Sequence, residues 1–492
     1  MSHQLPSDHV SRRHFLHKSA GGIGAIALAD LLSDDTRGEA QRGKAQREKV
    51  HPADPLQPRP PHFRPLAKRV IFLTMAGAPS QLDLFTPKPV MRKHHGERLP
   101  ESILGNLDDA LIKGSARVFA SPRHFQRYGE CGMEFSDYLP HLAGCADDLC
   151  MLRSMTTDVS NHHPAQLVLN CGVPRFGLPS MGSWITYGLG SESRNLPAYA
   201  VLLSNNGPGD LGGTALWGNA FLPASYRGVT FRSRGEPILH LTSPQGISRA
   251  GQRARIAAVA DLNSLHLQDR PSEAIASRTA AYELAFRMQI AAPEMIDFSD
   301  ETTRTLDHYG ITQKTTNWFG SNCLLARRMV ERGVRFIQLY HYTWDDHSQL
   351  NKRLQTNCKM TDQPAAALIQ DLKQRGLLED TLVIWGGEFG RTPMNEVRRG
   401  NTPGQEGRDH HPFGFTMLMA GGGAKPGFVL GNTDDFGYHA IEQPLHIHDL
   451  QATILHCLGL DHQQLTYRHQ GRDFRLTDVA GEVIHDALQH TA

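Results

Sequence analysis

Six short apolar runs, at 69–75, 149–155, 196–203, 334–340, 381–385 and 415–420, constrain the fold of this chain more than any other feature. Five of them carry β-branched and aromatic residues, and helical patterns separate the runs. A strand that is apolar on both sides has to be covered on both sides. That is the condition of a mostly parallel sheet with helices on each face. The expected class is therefore α/β, a three-layer αβα arrangement. Residues 249–292 and 317–332 carry helical periodicity, the second closed by Gly333, and both read as packing elements. Between 205 and 244 Gly and Pro are frequent and no period is visible, so an insertion near 205–295 is expected close to the mouth of the sheet.

Composition supports a core of this size. The chain has 492 residues, is 39% hydrophobic and has a mean hydropathy of −0.40, which excludes disordered, collagenous and multi-span membrane classes. Lys and Arg total 51 against 50 Asp and Glu, so no basic field is present to hold a nucleic acid. Seven cysteines are an odd number; Cys131, Cys145 and Cys150 lie close enough in sequence to supply one disulfide. No C-x-x-C pair exists, so a metal is to be sought among carboxylates and the 27 histidines.

The N-terminus reads as an export signal. Ser11-Arg12-Arg13-His14-Phe15-Leu16 precedes an apolar stretch to Leu32 that Asp30 interrupts, the pattern of a twin-arginine signal over 1–32. The stretch is too short and polar for a stable membrane span. Residues 33–65 carry six prolines from Pro52 to Pro65 and read as a tether, followed by a folded domain over 66–480 and a tail over 481–492. The expected location is the periplasm or cell surface, which leaves room for a co-exported protein partner.

The polar clusters follow the strands. The run at 334–340 leads into His341-Tyr-Thr-Trp-Asp345-Asp346-His347, and 381–385 into Gly386-Gly387-Glu388-Phe389-Gly390-Arg391. The run at 149–155 leads into Thr156 through His162-His163, and 69–75 into Ala76 through Asp83. Ligands of open parallel sheets bind outside the carboxyl ends of the strands, so these four loops are expected to converge. A fifth cluster, Gly407-Arg408-Asp409-His410-His411-Pro412, precedes a strand and reaches the same mouth only if it enters from that edge. Histidine with carboxylates and no thiolate favours zinc, with manganese or calcium as alternatives. His446, His448 and Asp449 open a helix and read as capping residues; Gly421-Gly422-Gly423 lacks dinucleotide-binding spacing.

Several of these motifs carry a resemblance. The twin-arginine start, Ser160-Asn-His-His-Pro-Ala-Gln166, Trp344-Asp-Asp-His347, Gly387-Glu-Phe-Gly-Arg-Thr-Pro393, 407–415, 448–455 and 471–478 resemble domain-of-unknown-function family 1501. That family is exported and resembles sulfatases and alkaline phosphatases in fold, so the resemblance implies an alkaline phosphatase-like domain. In that superfamily a strand like 381–385 ends in a metal-binding Asp-His, and here Glu388 and Phe389 stand there. The superfamily's later metal-binding His corresponds best to His411, with His410 as the alternative, and Asp345 with His347 resembles its other strand-end pair.

Two positions depart from the pattern. The first strand ends in Ala76-Gly77 instead of a metal-binding Asp, with Asp83 the nearest carboxylate, so one or two ions remain open. Ten residues before Gly172, where the nucleophile is expected, stands His162, and Ser160 serves there only with an insertion. Cys171-Gly-Val-Pro-Arg175 is out of register for a formylglycine site.

The implied function is a metal-dependent hydrolase of phosphate or sulfate esters, acting on a small-molecule or polysaccharide ester. Asp345, His347 and His411 would hold the ion, Glu388 would be a further ligand or a general base, and His162 or His163 nucleophile or acid/base. Arg391 would pair with anionic oxygens. The alternative is a non-catalytic exported binding or assembly protein with one structural metal on the same scaffold.

Overall fold

The computed structural model describes residues 54–489 apart from 106–109, 205–211, 233–235, 237, 239–240, 242–245, 270–271 and 397–403. The expected signal, the first part of the tether and scattered parts of the expected insertion lie outside the described residues.

Each of the six apolar runs forms a strand, and short strands that no run announces join them. In chain order they are β1 (Arg69–Met75), β2 (Leu149–Thr156), β3 (Tyr199–Ser204), β4 (Val229–Phe231), β5 (Phe336–His341), β6 (Thr381–Gly386), β7 (Gly390–Arg391), β8 (His410–His411), β9 (Phe415–Ala420), β10 (Phe428–Leu430) and β11 (Leu445–His446). Nine of them make the central sheet in the order β10-β2-β9-β6-β1-β5-β3-β4, with β11 also beside β2; β7 and β8 pair separately. Every residue of β5, β6 and β9 is buried, as continuous apolar runs require. β4, β10 and β11 are two or three residues long, too short to show as apolar runs.

Helices cover both faces. They are α1 (His162–Cys171), α2 (Met181–Leu189), α3 (Arg249–Asp269), α4 (Glu273–Ile296), α5 (Asn317–Glu331), α6 (Leu350–Gln374) and α7 (Ile447–Cys457). On one face Asn170 of α1 accepts hydrogen bonds from Gln338 and Tyr340 of β5, and Gln451 of α7 donates to carbonyls of α1. On the other, Ala365 and Ile369 of α6 pack with Leu73, Val383 and Trp385, and Phe319 of α5 meets the His341 ring edge-on. Alternate residues of β5 thus face opposite layers, as strand geometry demands.

All pairings in the central sheet are parallel except those of β9, which runs antiparallel to both β2 and β6. The carboxyl ends of β1, β2, β5 and β6 therefore share one edge with the amino end of β9. The loop before β9 opens on the same edge as the loops after the other four.

Three expectations need correction. Residues 54–65 are laid along the domain: Leu56 is buried, Arg59 lies against the rings of Tyr187 and Tyr226, and the His62 amide bonds to the Gly459 carbonyl. The extended backbone that prolines favour suits such a strap as well as a linker. The start of the expected tail is packed too, with Ala487 and Leu488 buried and Leu488 bridging to Ala424. All seven cysteines are free, and Cys145 and Cys150 are buried while Cys131 is exposed, so the expected disulfide is not formed.

Candidate metal centre

The loop after β5 delivers the central residue. The Trp344 indole donates to His341 Nδ1 at 3.0 Å and its backbone amide to the Ala76 carbonyl at 3.2 Å, which pins the loop against the end of β1. Gly77 has φ +102°, and a Cβ there would stand 2.6 Å from the Asp345 amide nitrogen. Only glycine lets the loops after β1 and β5 approach this closely. Asp345 emerges at the mouth with its side chain 19% exposed.

Four nitrogens surround one oxygen of that carboxylate. Asp345 Oδ1 lies 3.1 Å from His162 Nε2, 2.9 Å from His347 Nε2, 3.2 Å from His410 Nε2 and 2.7 Å from Arg391 Nη2. His347 Nε2 and His410 Nε2 are themselves 2.9 Å apart. Phe389 packs against the rings of His162 and His410 with centroids 4.9 and 4.8 Å away, fixing their planes.

The opposite nitrogen of each imidazole is held by an oxygen. His162 Nδ1 is 2.6 Å from Glu388 Oε1, His347 Nδ1 is 3.1 Å from Glu396 Oε2, and His410 Nδ1 donates to the Ser160 carbonyl at 2.8 Å. Glu388 is fully buried and also accepts from the Gly77 amide and from Gln166 Nε2 at 3.0 Å each. Oxygen partners on all three Nδ1 atoms place the protons there and leave Nε2 unprotonated in the neutral rings. Three bare nitrogen lone pairs then face a carboxylate oxygen, and buried His162 Nε2 makes no hydrogen bond. A cation at the convergence resolves that conflict, and imidazoles oriented by carboxylates or carbonyls are the support metal-binding histidines require. His162, Asp345 and His410 form one group with ligand spacing, and His347, Asp409 and His410 another.

The electrostatics follow the geometry. Burial works against the charge of Asp345, but the three histidines and Arg391 around it outweigh this and hold the carboxyl far below the usual range. Without a cation a proton takes its place at His162: burial opposes that charge, but Asp345 and Glu388 overcome it and raise the pKa to about 9. Asp346 lacks such partners. Neither of its oxygens is hydrogen bonded, and burial pushes its pKa up to about 7.

The other expected site residues lie elsewhere or do something else. His411 belongs to β8 beside His410, and successive residues of an extended segment point to opposite sides. Its Nε2 bonds to the Tyr438 carbonyl at 2.5 Å, away from the cluster, so His410 takes the place expected for His411. Asp83 is not a ligand: it is buried in an ion pair with Arg408, Oδ2 to Nε 2.7 Å. Arg391 is fully buried and donates to the carbonyls of Gly77, Ala78, Trp344 and Arg408 as well as to Asp345. It clamps the loops together instead of waiting for an anion. Glu388 supports His162 from behind the cluster, and His163 is exposed on α1. His446 caps α7 in a reciprocal box with Asp449.

Three contributors were missed from the sequence. Asp409 stands beside His410 in a cluster already conspicuous for its charge, whereas Glu396 and Gln166 carry no local signal.

The chain belongs to the DUF1501 family, described as a protein of unknown function, whose model matches residues 67–488. No curated protein matches it significantly. Solved structures with some likeness include the lipoteichoic acid synthase LtaP of Listeria monocytogenes, at 10% identity and TM-score 0.32 over 83% of this chain and 74% of that one. Alkaline phosphatase from the Antarctic bacterium TAB5 gives 10% identity and TM-score 0.34 over 80% and 99%. The phosphonate monoester hydrolase of Silicibacter pomeroyi gives 14% and 0.31 over 65% and 68%. Scores this low add nothing to what the strand order and the site geometry establish.

Proposed function

We propose that this chain is an exported hydrolase of phosphate or sulfate esters that works with one divalent metal ion, held by Nε2 of His162, His347 and His410 and by Asp345. The observation that carries this reading is the meeting of three Nε2 atoms on Asp345 Oδ1 while every Nδ1 is anchored by an oxygen. A nitrogen-rich set with one carboxylate suits zinc, tolerates manganese and disfavours calcium, which takes oxygen ligands. Bound there, the ion supplies Lewis acidity toward an ester oxygen and lowers the pKa of water.

The chain's own groups do the rest. Glu388, Glu396 and the Ser160 carbonyl orient the imidazoles, and Arg391 holds the loops that carry Asp345 in place. The amino end of α1 lies at the centre and favours an anionic substrate through the helix dipole. With both nitrogens of His162 engaged, water is the nucleophile in this reading. Single-ion chemistry fits the loss of Asp83 to Arg408 and the glycine at the end of β1. Side chains 17% exposed at His410 and 19% at Asp345 support access from solvent.

One feature favours a second reading. Four protein donors already complete a tetrahedral shell, the pattern of structural zinc, which suits a non-catalytic binding protein. Metal content and turnover decide between them. The exported form should hold one ion per chain and release phosphate or sulfate from a panel of phosphate mono- and diesters and sulfate esters, with both properties lost in His410→Ala. One retained ion with no turnover across the panel supports the binding reading instead. Replacing Arg12 and Arg13 with Lys should keep the chain in the cytoplasm; unchanged export on fractionation removes the twin-arginine route.

A further inference from the structure

Apart from the metal centre, a groove of about 360 Å³ opens between the amino-terminal half of α6, the turn at 137–141 and the loop at 313–316. That volume lies within the roughly 300–1,000 Å³ of small-molecule sites, and no residue of the metal centre lines it. Its walls are tied to one another. Asp362 of α6 is buried and accepts from the backbone amides of His141 and Leu142 at 2.8 Å each, and the Tyr138 hydroxyl donates to the Asn351 carbonyl at 3.2 Å. Gln313 donates to Gln363 at 3.2 Å, and Gln363 donates to the Asp307 carbonyl at 2.9 Å. A groove held by such contacts keeps its shape without a ligand, which spares part of the ordering cost of binding. His141, Thr315, Gln355 and Lys359 line it and are exposed, and among the described residues their side chains make no hydrogen bond or ion pair within the chain.

We infer that this groove binds a neutral saccharide. Its charges exclude a polyanion, since Lys359 is matched by Asp137 and no cationic field remains. Its apolar surface comes from Tyr138, Pro140 and Cys358, too little for a lipid tail or for the hydrophobic anchors of a peptide helix. Its walls are helix and turn, with no open strand edge to which an extended peptide adds. What the lining offers is donor and acceptor side by side. The Gln355 amide and the Thr315 hydroxyl each present both, and every hydroxyl of a sugar is likewise both. A polyol satisfies such groups together, whereas an apolar ligand leaves them desolvated and unpaired.

Calorimetric titration of the purified full chain with cellohexaose, xylohexaose, mannohexaose and maltohexaose, and with a sulfated heparin hexasaccharide beside them, is the test. At least one neutral oligosaccharide should bind, one per chain, at millimolar concentration or below. Thr315→Ala together with Gln355→Ala should weaken it by about ten-fold, the effect of losing two hydrogen bonds, with an unchanged circular dichroism spectrum. Binding of none of the four neutral sugars overturns the proposal. So does binding that the double substitution leaves unchanged, which puts the sugar elsewhere on the chain. Preference for the heparin hexasaccharide, lost in Lys359→Ala, also overturns it and assigns the groove to an anionic ligand.

Discussion

Asp345 Oδ1 has His162, His347, His410 and Arg391 nitrogens at 3.1, 2.9, 3.2 and 2.7 Å, more nitrogens than one carboxylate oxygen can pair with by hydrogen bonding. Asp345→Asn, His162→Ala and His410→Ala should each drop bound zinc from one ion per chain to a small fraction, read by elemental analysis. His411→Ala should keep full occupancy, and loss of the ion there would return His411 to the centre. Glu388→Gln keeps a hydrogen-bond partner for His162 but removes the charge, and should weaken metal affinity by about 10- to 100-fold. Asp83→Asn tests a different property. It strands the buried Arg408 charge, which costs about 3–5 kcal/mol in denaturant unfolding, while metal content stays the same. At this scale the sequence placed His162, Asp345, His347 and the 407–412 cluster in loops that meet, but favoured His411 where the geometry brings His410 to Asp345. Neighbours in a sequence are indistinguishable until the strand that carries them fixes which one points inward.

Elements bring those residues together through loops that touch. Gly77 admits the Asp345 backbone, and at Gly407 a Cβ would stand 1.9 Å from the His347 carbonyl carbon, so the loops after β1 and β5 and the loop before β9 are in contact without side chains between them. Gly77→Ala forces positive φ on a residue with a Cβ, at a cost of about 1–3 kcal/mol, and displaces the Asp345 backbone. Lower thermal stability together with weaker zinc binding is the expected outcome, measured by calorimetry and metal titration; unchanged affinity would show that Asp345 is placed by Arg391 alone. The six apolar runs were legible because burial on both faces of a strand leaves an unbroken apolar signature. Glu396 and Gln166 were not, because each reaches the centre through contacts far away in the sequence: Glu396 to His347 and Gln166 to Glu388.

The acid stability of the whole molecule depends on an interior histidine that burial keeps uncharged. His341, at the end of β5, is fully buried, and burial pushes its pKa from 6.5 down to about 3. Unfolding therefore binds a proton below pH 6.5 that the native state refuses. Stability is intact above about 6.5 and falls as pH drops toward 3, with His341 adding at most about 1.4 kcal/mol per pH unit to the slope. His341→Gln should flatten the decline of the urea midpoint between pH 6.5 and 4; an unchanged profile would assign acid sensitivity to other groups. By itself the sequence determined the α/β class, the family and which loops follow strands, because burial and strand periodicity are properties of contiguous residues. The tertiary structure alone decided that β9 runs against its neighbours, bringing His410 to Asp345, and that Asp83 and Arg391 are spent on other partners. Strand direction and side-chain pairing arise between distant segments, and no local pattern encodes them.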